Sequence, residues 1–408
     1  MPPPYLIQGD RSDQTATSTS VDICSRRDFF SKGGIAVLSA LAFRRGLRAR
    51  QTTQSLTLYV GTYTSGKSKG IYIYTVNVHS GELKYVNTVT GVIDPSFLAI
   101  DREGRFLYAV NELDQFEGKP SGALSAFSID RKTGDLRLLN QQPSLGGSPC
   151  HLVLDATGRF LLVANYGGGN VSIFPVLSDG SLGSATEMVQ HHGSGAHKER
   201  QAAPHAHCVV LDRLNRFAFV ADLGLDKIMI YHFDAKTGKL RPAKQPWVQL
   251  KPGAGPRHFA FHRSGKYAYV INELDSTLTA FRYEAANGTL ETIQTVSAVP
   301  GRFSGNNDCA ELLVSQSGRF LYGSNRGHDS IVVFAINEST GKLTYVEHAS
   351  TQGKTPRNFT VDPNGRFLFV ANQKSNTVVT LRIDTATGRL QPTGLVAEVP
   401  TPVCLKFN

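Results

Sequence analysis

The chain has 408 residues, 40% hydrophobic and 19% charged, with 39 Gly but only 3 Met and 1 Trp. That balance supports a large core, disfavours disorder, and points to strands and turns rather than a helical bundle. The net charge of +10 includes +4 from the first 50 residues, and no basic block interleaves with aromatics; nucleic acid is therefore disfavoured as a partner, and a small anionic molecule suits the chain better.

Residues 1–22 are polar and rich in Pro, Ser and Thr, which predicts an unstructured tail. Ser25-Arg26-Arg27-Asp28-Phe29-Phe30 follows, then a short apolar stretch from Ile35 to Phe43 containing Ala40-Leu41-Ala42. This segment is similar to a twin-arginine export signal, with Ala42 as the cleavage site. It implies passage across a membrane through the twin-arginine machinery and a periplasmic or secreted destination. The alternative is a basic amphipathic tail on a cytoplasmic protein. No apolar run approaches the ~20 residues of a membrane span. The tail and signal are assigned to residues 1–50.

From residue 55 onward the sequence repeats. A small polar residue, Gly, any residue and Leu recur seven times, from Ser80-Gly81-Glu82-Leu83 to Thr387-Gly388-Arg389-Leu390, with glycines 46 to 58 residues apart. Each phrase lies between runs of alternating polarity, the pattern of a hairpin turn. A second phrase, such as Gly158-Arg159-Phe160-Leu161-Leu162 or Gly318-Arg319-Phe320-Leu321-Tyr322, starts a new strand in most units. Units of this length with about four strands are propeller blades. Pro402 to Phe407 reads as the first strand of a unit whose other strands lie in Leu56–Leu83. The expectation is an all-β, seven-bladed propeller over residues 55–408, closed by pairing its two ends. It is read as one domain and a monomer, with no long free edge.

Aligning the repeats puts Ser96, Cys150, His207, Arg257, Ala310 and Arg357 in one register. A second register, one residue after a strand-end Asn or Asp, holds Glu112, Tyr166, Leu223, Glu273, Arg326 and Gln373. The Asn column itself predicts side chains that bond neighbouring backbone. Guanidiniums, an imidazole and a carboxylate at equivalent rim positions predict an anion-binding mouth with an acid/base.

The longest connection runs through His191, His192 and His197 to Pro204-His205-Ala206-His207. Loops of this length are usually binding loops or disordered. Five His lie within it, but no carboxylate or Cys completes a standard metal site, so no metal is assigned. Cys150 and Cys208 fall on neighbouring inner strands, and buried free thiols are favoured over a bridge.

These phrases together resemble the lactonase family of seven-bladed propellers, which includes the propeller-type 6-phosphogluconolactonases. The match runs from Tyr59-Val60-Gly61-Thr62-Tyr63-Thr64 through Glu199-Arg200-Gln201, Gly255-Pro256-Arg257-His258, Asn272-Glu273-Leu274, Ser324-Asn325-Arg326-Gly327-His328-Asp329-Ser330 and Pro356-Arg357-Asn358-Phe359. It extends to the fungal carboxymuconate lactonising enzymes. The resemblance implies a cofactor-free lactone hydrolase acting on a sugar-acid lactone or other small carboxylate. His207, with His205 as its rival, Arg257, Glu273 and Arg326 would form the catalytic group. His205, Arg357, Asn325, His328, Glu112 and Arg200 would bind substrate. A muconate-type cycloisomerase and a non-catalytic exported propeller are the competing readings. On sequence alone, Arg257→Ala should abolish turnover and leave thermal unfolding nearly unchanged.

Overall fold

A computed structural model describes residues 55–408; the twin-arginine segment and Cys24 lie outside the described residues. The described chain forms seven four-stranded antiparallel sheets, all joined in sequence order except one. We number as blade 1 the sheet that starts at Leu98–Ile100, followed by blades whose innermost strands are Pro149–Leu154, Ala206–Leu211, Pro256–Phe261, Asp308–Val314 and Pro356–Val361. Blade 7 is the exception. Its innermost strand, Pro402–Phe407, pairs antiparallel with Ser55–Thr62 from the other end of the chain. The ring is closed by hydrogen bonds, as the split repeat predicts. No described helix is long and apolar enough to cross a membrane.

The two repeated phrases dock into each other between blades. The turn glycine of one blade sits on the aromatic that follows Arg or Lys in the blade before it. A Cβ on Gly341 (φ +71°) would lie 2.4 Å from the Tyr267 ring, and one on Gly388 (φ +76°) 2.4 Å from Phe320. Glycine is required there both for its conformation and for the close approach. The same strand adds a second tie two residues on. Tyr269 Oη donates to the Gly341 carbonyl at 3.1 Å and Tyr322 Oη to that of Gly388 at 3.1 Å. Arginines of the second phrase also reach across, as when Arg159 donates to the Ala235 carbonyl at 2.6 Å. Gly341→Ala therefore combines strain with overpacking and should destabilise by about 2–4 kcal/mol. A thermal midpoint equal to the wild type would show that this junction is not close-packed.

The Asn column ties four blades to the one before, while Asn272 of blade 4 bonds Thr277 and Thr279 of its own blade. Asn111, Asn165, Asn325 and Asn372 donate to the carbonyls of Ile93, Ser144, Ala298 and Thr351 at 2.6 to 3.1 Å. These carbonyls belong to the segments leaving the preceding blades. Blade 3 has Asp222 instead, and it accepts from His191 Nδ1 at 2.6 Å. Cys150, Cys208, Cys309 and Cys404 are buried free thiols.

Candidate active site

The innermost strands share a defect that points residues at the axis. In blade 4, Pro256 pairs with Asn272 and His258 with Ile271, so Arg257 is an extra residue in a β-bulge. The same shift leaves Cys150, His207, Arg357 and Val403 unpaired in blades 2, 3, 6 and 7, and Ala310-Glu311 in blade 5. A bulge re-aims a side chain and interrupts pairing. The register found from the repeats is thus the set of bulge residues, apart from Ser96, which precedes the short first strand of blade 1.

Three predicted arginines converge on one carboxylate. Arg257 Nε donates to Glu273 Oε2 at 2.9 Å and Arg326 Nη2 to the same oxygen at 2.7 Å, while Arg200 donates to Oε1. Arg257 and Glu273 come from blade 4, Arg326 from blade 5, and Arg200 from the long connection before blade 3. Burial alone would raise the Glu273 carboxyl, but the three guanidiniums outweigh it and hold it at about 2. Burial, with Arg326 and Arg357 nearby, lowers Arg257 to about 10. The cluster carries three positive charges and one negative.

Arg200 is presented by a buried glutamine. Gln201 Nε2 donates to the Leu223 carbonyl at 2.7 Å and to Asp226 Oδ1 at 2.6 Å, and Gln201 is fully buried. The long connection is therefore pinned beside the residue that crosses the mouth. The sequence offered no periodic signal for this anchor.

A second group forms from blades 6, 7 and 1. Arg357 Nη2 donates to Tyr63 Oη at 2.8 Å, and Tyr63 Oη donates to Glu112 Oε2 at 2.8 Å. Arg357 also lies 5.4 Å from the centre of the Tyr63 ring. Tyr63, missed as a site residue, joins Arg357 to Glu112. This half of the mouth is charge-balanced, whereas the Glu273 half is cationic.

The two histidines differ. His205 is half-buried and stacks on Tyr166 with ring centres 4.4 Å apart. Its Nδ1 lies 2.9 Å from the Tyr166 carbonyl, which can only accept, so Nδ1 carries the proton and Nε2 has a free lone pair. His207 is 5% exposed, with Nδ1 3.7 Å from Cys150 Sγ. Burial, then Arg257 and His258, push its pKa well below the usual range, so it is neutral. His191 bonds Asp222 and His205 bonds Tyr166, so the histidine-rich stretch is dispersed. No group of three or more metal-ligating side chains occurs among the described residues.

Asn325 and His328 do not join the arginine cluster. Asn325 is fully buried and donates to the Ala298 carbonyl while accepting from Asn307 at 3.1 Å. The His328 backbone N–H donates to Asn307 Oδ1 at 3.1 Å, and its ring bonds Ser330. Both residues support Asn307.

Below the mouth lies a layer that the repeat alignment did not identify. His258 Nδ1 bonds Glu311 Oε1 at 2.8 Å, and Asn358 donates to the other oxygen. Above it, Ser96, Glu112, Cys150, Arg257 and Arg357 enclose about 10 Å³, room for roughly one water. The bulge explains the omission. It breaks the alternation of faces, so adjacent residues such as Arg257 and His258 both serve the hub.

Comparison with known proteins agrees with this architecture. The family described as Lactonase, 7-bladed beta-propeller, matches residues 57–407. A 6-phosphogluconolactonase of Bacillus subtilis is 40% identical over 349 residues, 86% of this chain and 97% of its own. One from Formosa agariphila is 38% identical over 75% of this chain and 86% of its own. The solved structure of a periplasmic gluconolactonase from Pseudomonas aeruginosa has a TM-score of 0.82 at 34% identity, covering 86% of this chain and 99% of that one. With this fold, and with a match running almost the whole length of the propeller, the chain belongs to the lactonase family of seven-bladed β-propellers.

Proposed function

We propose that the protein hydrolyses the ring ester of a sugar-acid lactone at the axial mouth. The observation that carries the reading is the gathering of Arg200, Arg257 and Arg326 around Glu273. The names of its relatives, 6-phosphogluconolactonase and gluconolactonase, support the same class of substrate.

His205 is the general base in this reading. Its free Nε2 takes a proton from water as the water oxygen attacks the lactone carbonyl. The arginine cluster stabilises the oxyanion that forms there, the part of ester hydrolysis where fixed positive charge has most effect. Collapse breaks the ring C–O bond, and the His205 imidazolium returns the proton to the leaving ring oxygen. The product is a hydroxy acid whose carboxyl loses the remaining water proton to solvent, leaving a carboxylate that the cationic half of the mouth can hold before release.

Glu273 serves as the anchor of the arginines. A carboxyl held at about 2 is a weak base at neutral pH. His207 is neutral but enclosed against Cys150, which favours His205 for the base.

The test is turnover of glucono-1,5-lactone and its 6-phosphate in a pH-stat. His205→Gln should lower kcat by ~10²–10⁴-fold, with an unchanged thermal midpoint. Equal activity in the variant would remove His205 from the chemistry. Turnover of a muconate but of no saccharide lactone would favour the cycloisomerase.

A further inference from the structure

Tyr63 follows the strand Ser55–Thr62 as Glu112 follows Phe106–Asn111 and Glu273 follows Tyr267–Asn272. It is therefore blade 7's member of the register that holds Glu112, Glu273 and Arg326. The bulge position of blade 7 is the apolar Val403, so Tyr63 supplies this blade's polar group to the mouth. Closure of the ring fixes its backbone. The Tyr63 N–H donates to the Thr401 carbonyl at 3.3 Å, and the Thr401 hydroxyl donates back to the Tyr63 carbonyl.

The Tyr63 hydroxyl is a wedge between two charges. It accepts from Arg357 Nη2 and donates to Glu112 Oε2, each at 2.8 Å, while Arg357 Nη2 itself lies 4.0 Å from Glu112 Oε1. That gap is too long for a direct hydrogen bond. Each of the two charged side chains is 18% exposed, so neither is sealed beneath the mouth. Glu112 Oε2 is taken by Tyr63 and Ser96, whereas Oε1 accepts from no described residue. Arg357 donates to Tyr63 through Nη2, and among the described residues its Nε and Nη1 have no acceptor. None of these three atoms is fully enclosed.

An unengaged charged donor thus stands beside an unengaged charged acceptor. A hydroxyl matches both, because it accepts and donates at once. Without the wedge the two groups would close into a direct ion pair, and charge-assisted pairing would occupy the atoms that face substrate.

We propose that Tyr63 is a positioning residue: its hydroxyl holds Arg357 and Glu112 apart, so that together they bind a hydroxyl of the lactone rather than each other. The proposal rests on the lactonase reading and adds to it a residue outside the arginine cluster.

The test is steady-state hydrolysis by the full chain of glucono-1,5-lactone or its 6-phosphate, whichever the wild type turns over faster, scored as aldonate formed. Tyr63→Phe keeps the ring beside Arg357 and removes only the hydroxyl. It should raise KM about tenfold, the loss of one hydrogen bond to a charged group. The change in kcat should stay below about threefold, with a thermal midpoint close to that of the wild type. δ-Valerolactone, a ring without hydroxyls, should compete equally in the wild type and the variant. Combining Tyr63→Phe with Glu112→Gln removes the charge that draws Arg357 away, and should recover part of the lost KM. An unchanged KM in Tyr63→Phe overturns the proposal. So does an equal weakening of δ-valerolactone, which means general damage to the mouth, or a double variant no better than Tyr63→Phe alone. Each of these leaves lactone turnover, and with it the lactonase reading, intact. A wild type that turns over neither saccharide lactone overturns both.

Discussion

Glu273→Gln is expected to lose about 3–5 kcal/mol of stability, the effect of removing one partner from a buried ion cluster. Glutamine keeps the shape but leaves Arg257, Arg326 and Arg200 gathered without a counter-charge. Arg257 is 3% exposed and cannot turn to solvent. The wild-type pH profile carries the same information. The folded carboxyl sits at about 2 against an ordinary 4.5. A depressed acid stabilises the fold fully above its ordinary value, so this contribution is lost as the pH falls from 4.5 toward 2. The neutral His151, His207 and His258 act higher, because burial depresses each one. Their contribution is present above about 6.5 and declines as the pH falls below it. Denaturant unfolding from pH 7 to 3 should show both losses in the wild type, and Glu273→Gln should show a smaller lower one, because the depressed Glu311 still contributes there. A variant with the wild-type midpoint throughout would mean that the arginines do not depend on this carboxylate.

Arg257→Ala should reduce kcat/KM for lactone by ~10²–10³-fold, as loss of one oxyanion-stabilising donor does elsewhere. The unchanged thermal unfolding expected from sequence does not survive the structure. The guanidinium bonds both Glu273 and the Ala310 carbonyl, at 2.9 and 2.8 Å, from a buried position. Truncation leaves that carbonyl and part of the carboxylate unsatisfied, which should cost about 3 kcal/mol. Arg257→Lys separates the two roles. Lysine restores a charge but lacks the planar fork that spans both acceptors. It should recover more stability than activity in paired melting and turnover measurements. Full recovery of both would reduce the role of Arg257 to that of a point charge.

The ring was legible because its repeated phrases are the surfaces by which blades touch. Gly341 on Tyr267 and Gly388 on Phe320 are contacts made by residues that recur in all units but the split one, where Gly134 meets Thr57 instead, so alignment alone exposes them. Arg257, Glu273 and Arg326 were legible for the same reason, being departures from a register of otherwise ordinary residues. Tyr63 was hidden because its unit is split between the chain ends. Gln201 was hidden because it lies outside any repeat. Glu311 and Asn358 escaped because face-counting fails where a strand gains a residue. Asn325 was assigned to substrate through the resemblance, yet its amide bonds Ala298 and Asn307, as the repeat's own Asn column suggests.

The unpaired residue near the start of six inner strands separates two demands that usually conflict. Its side chain can be exchanged without rewriting the ladder, because the cross-strand partners lie on either side of it. Cysteine, imidazole, guanidinium and valine already occupy equivalent sockets in this one chain. New chemistry at the hub can therefore arise one blade at a time while the scaffold keeps its folding instructions.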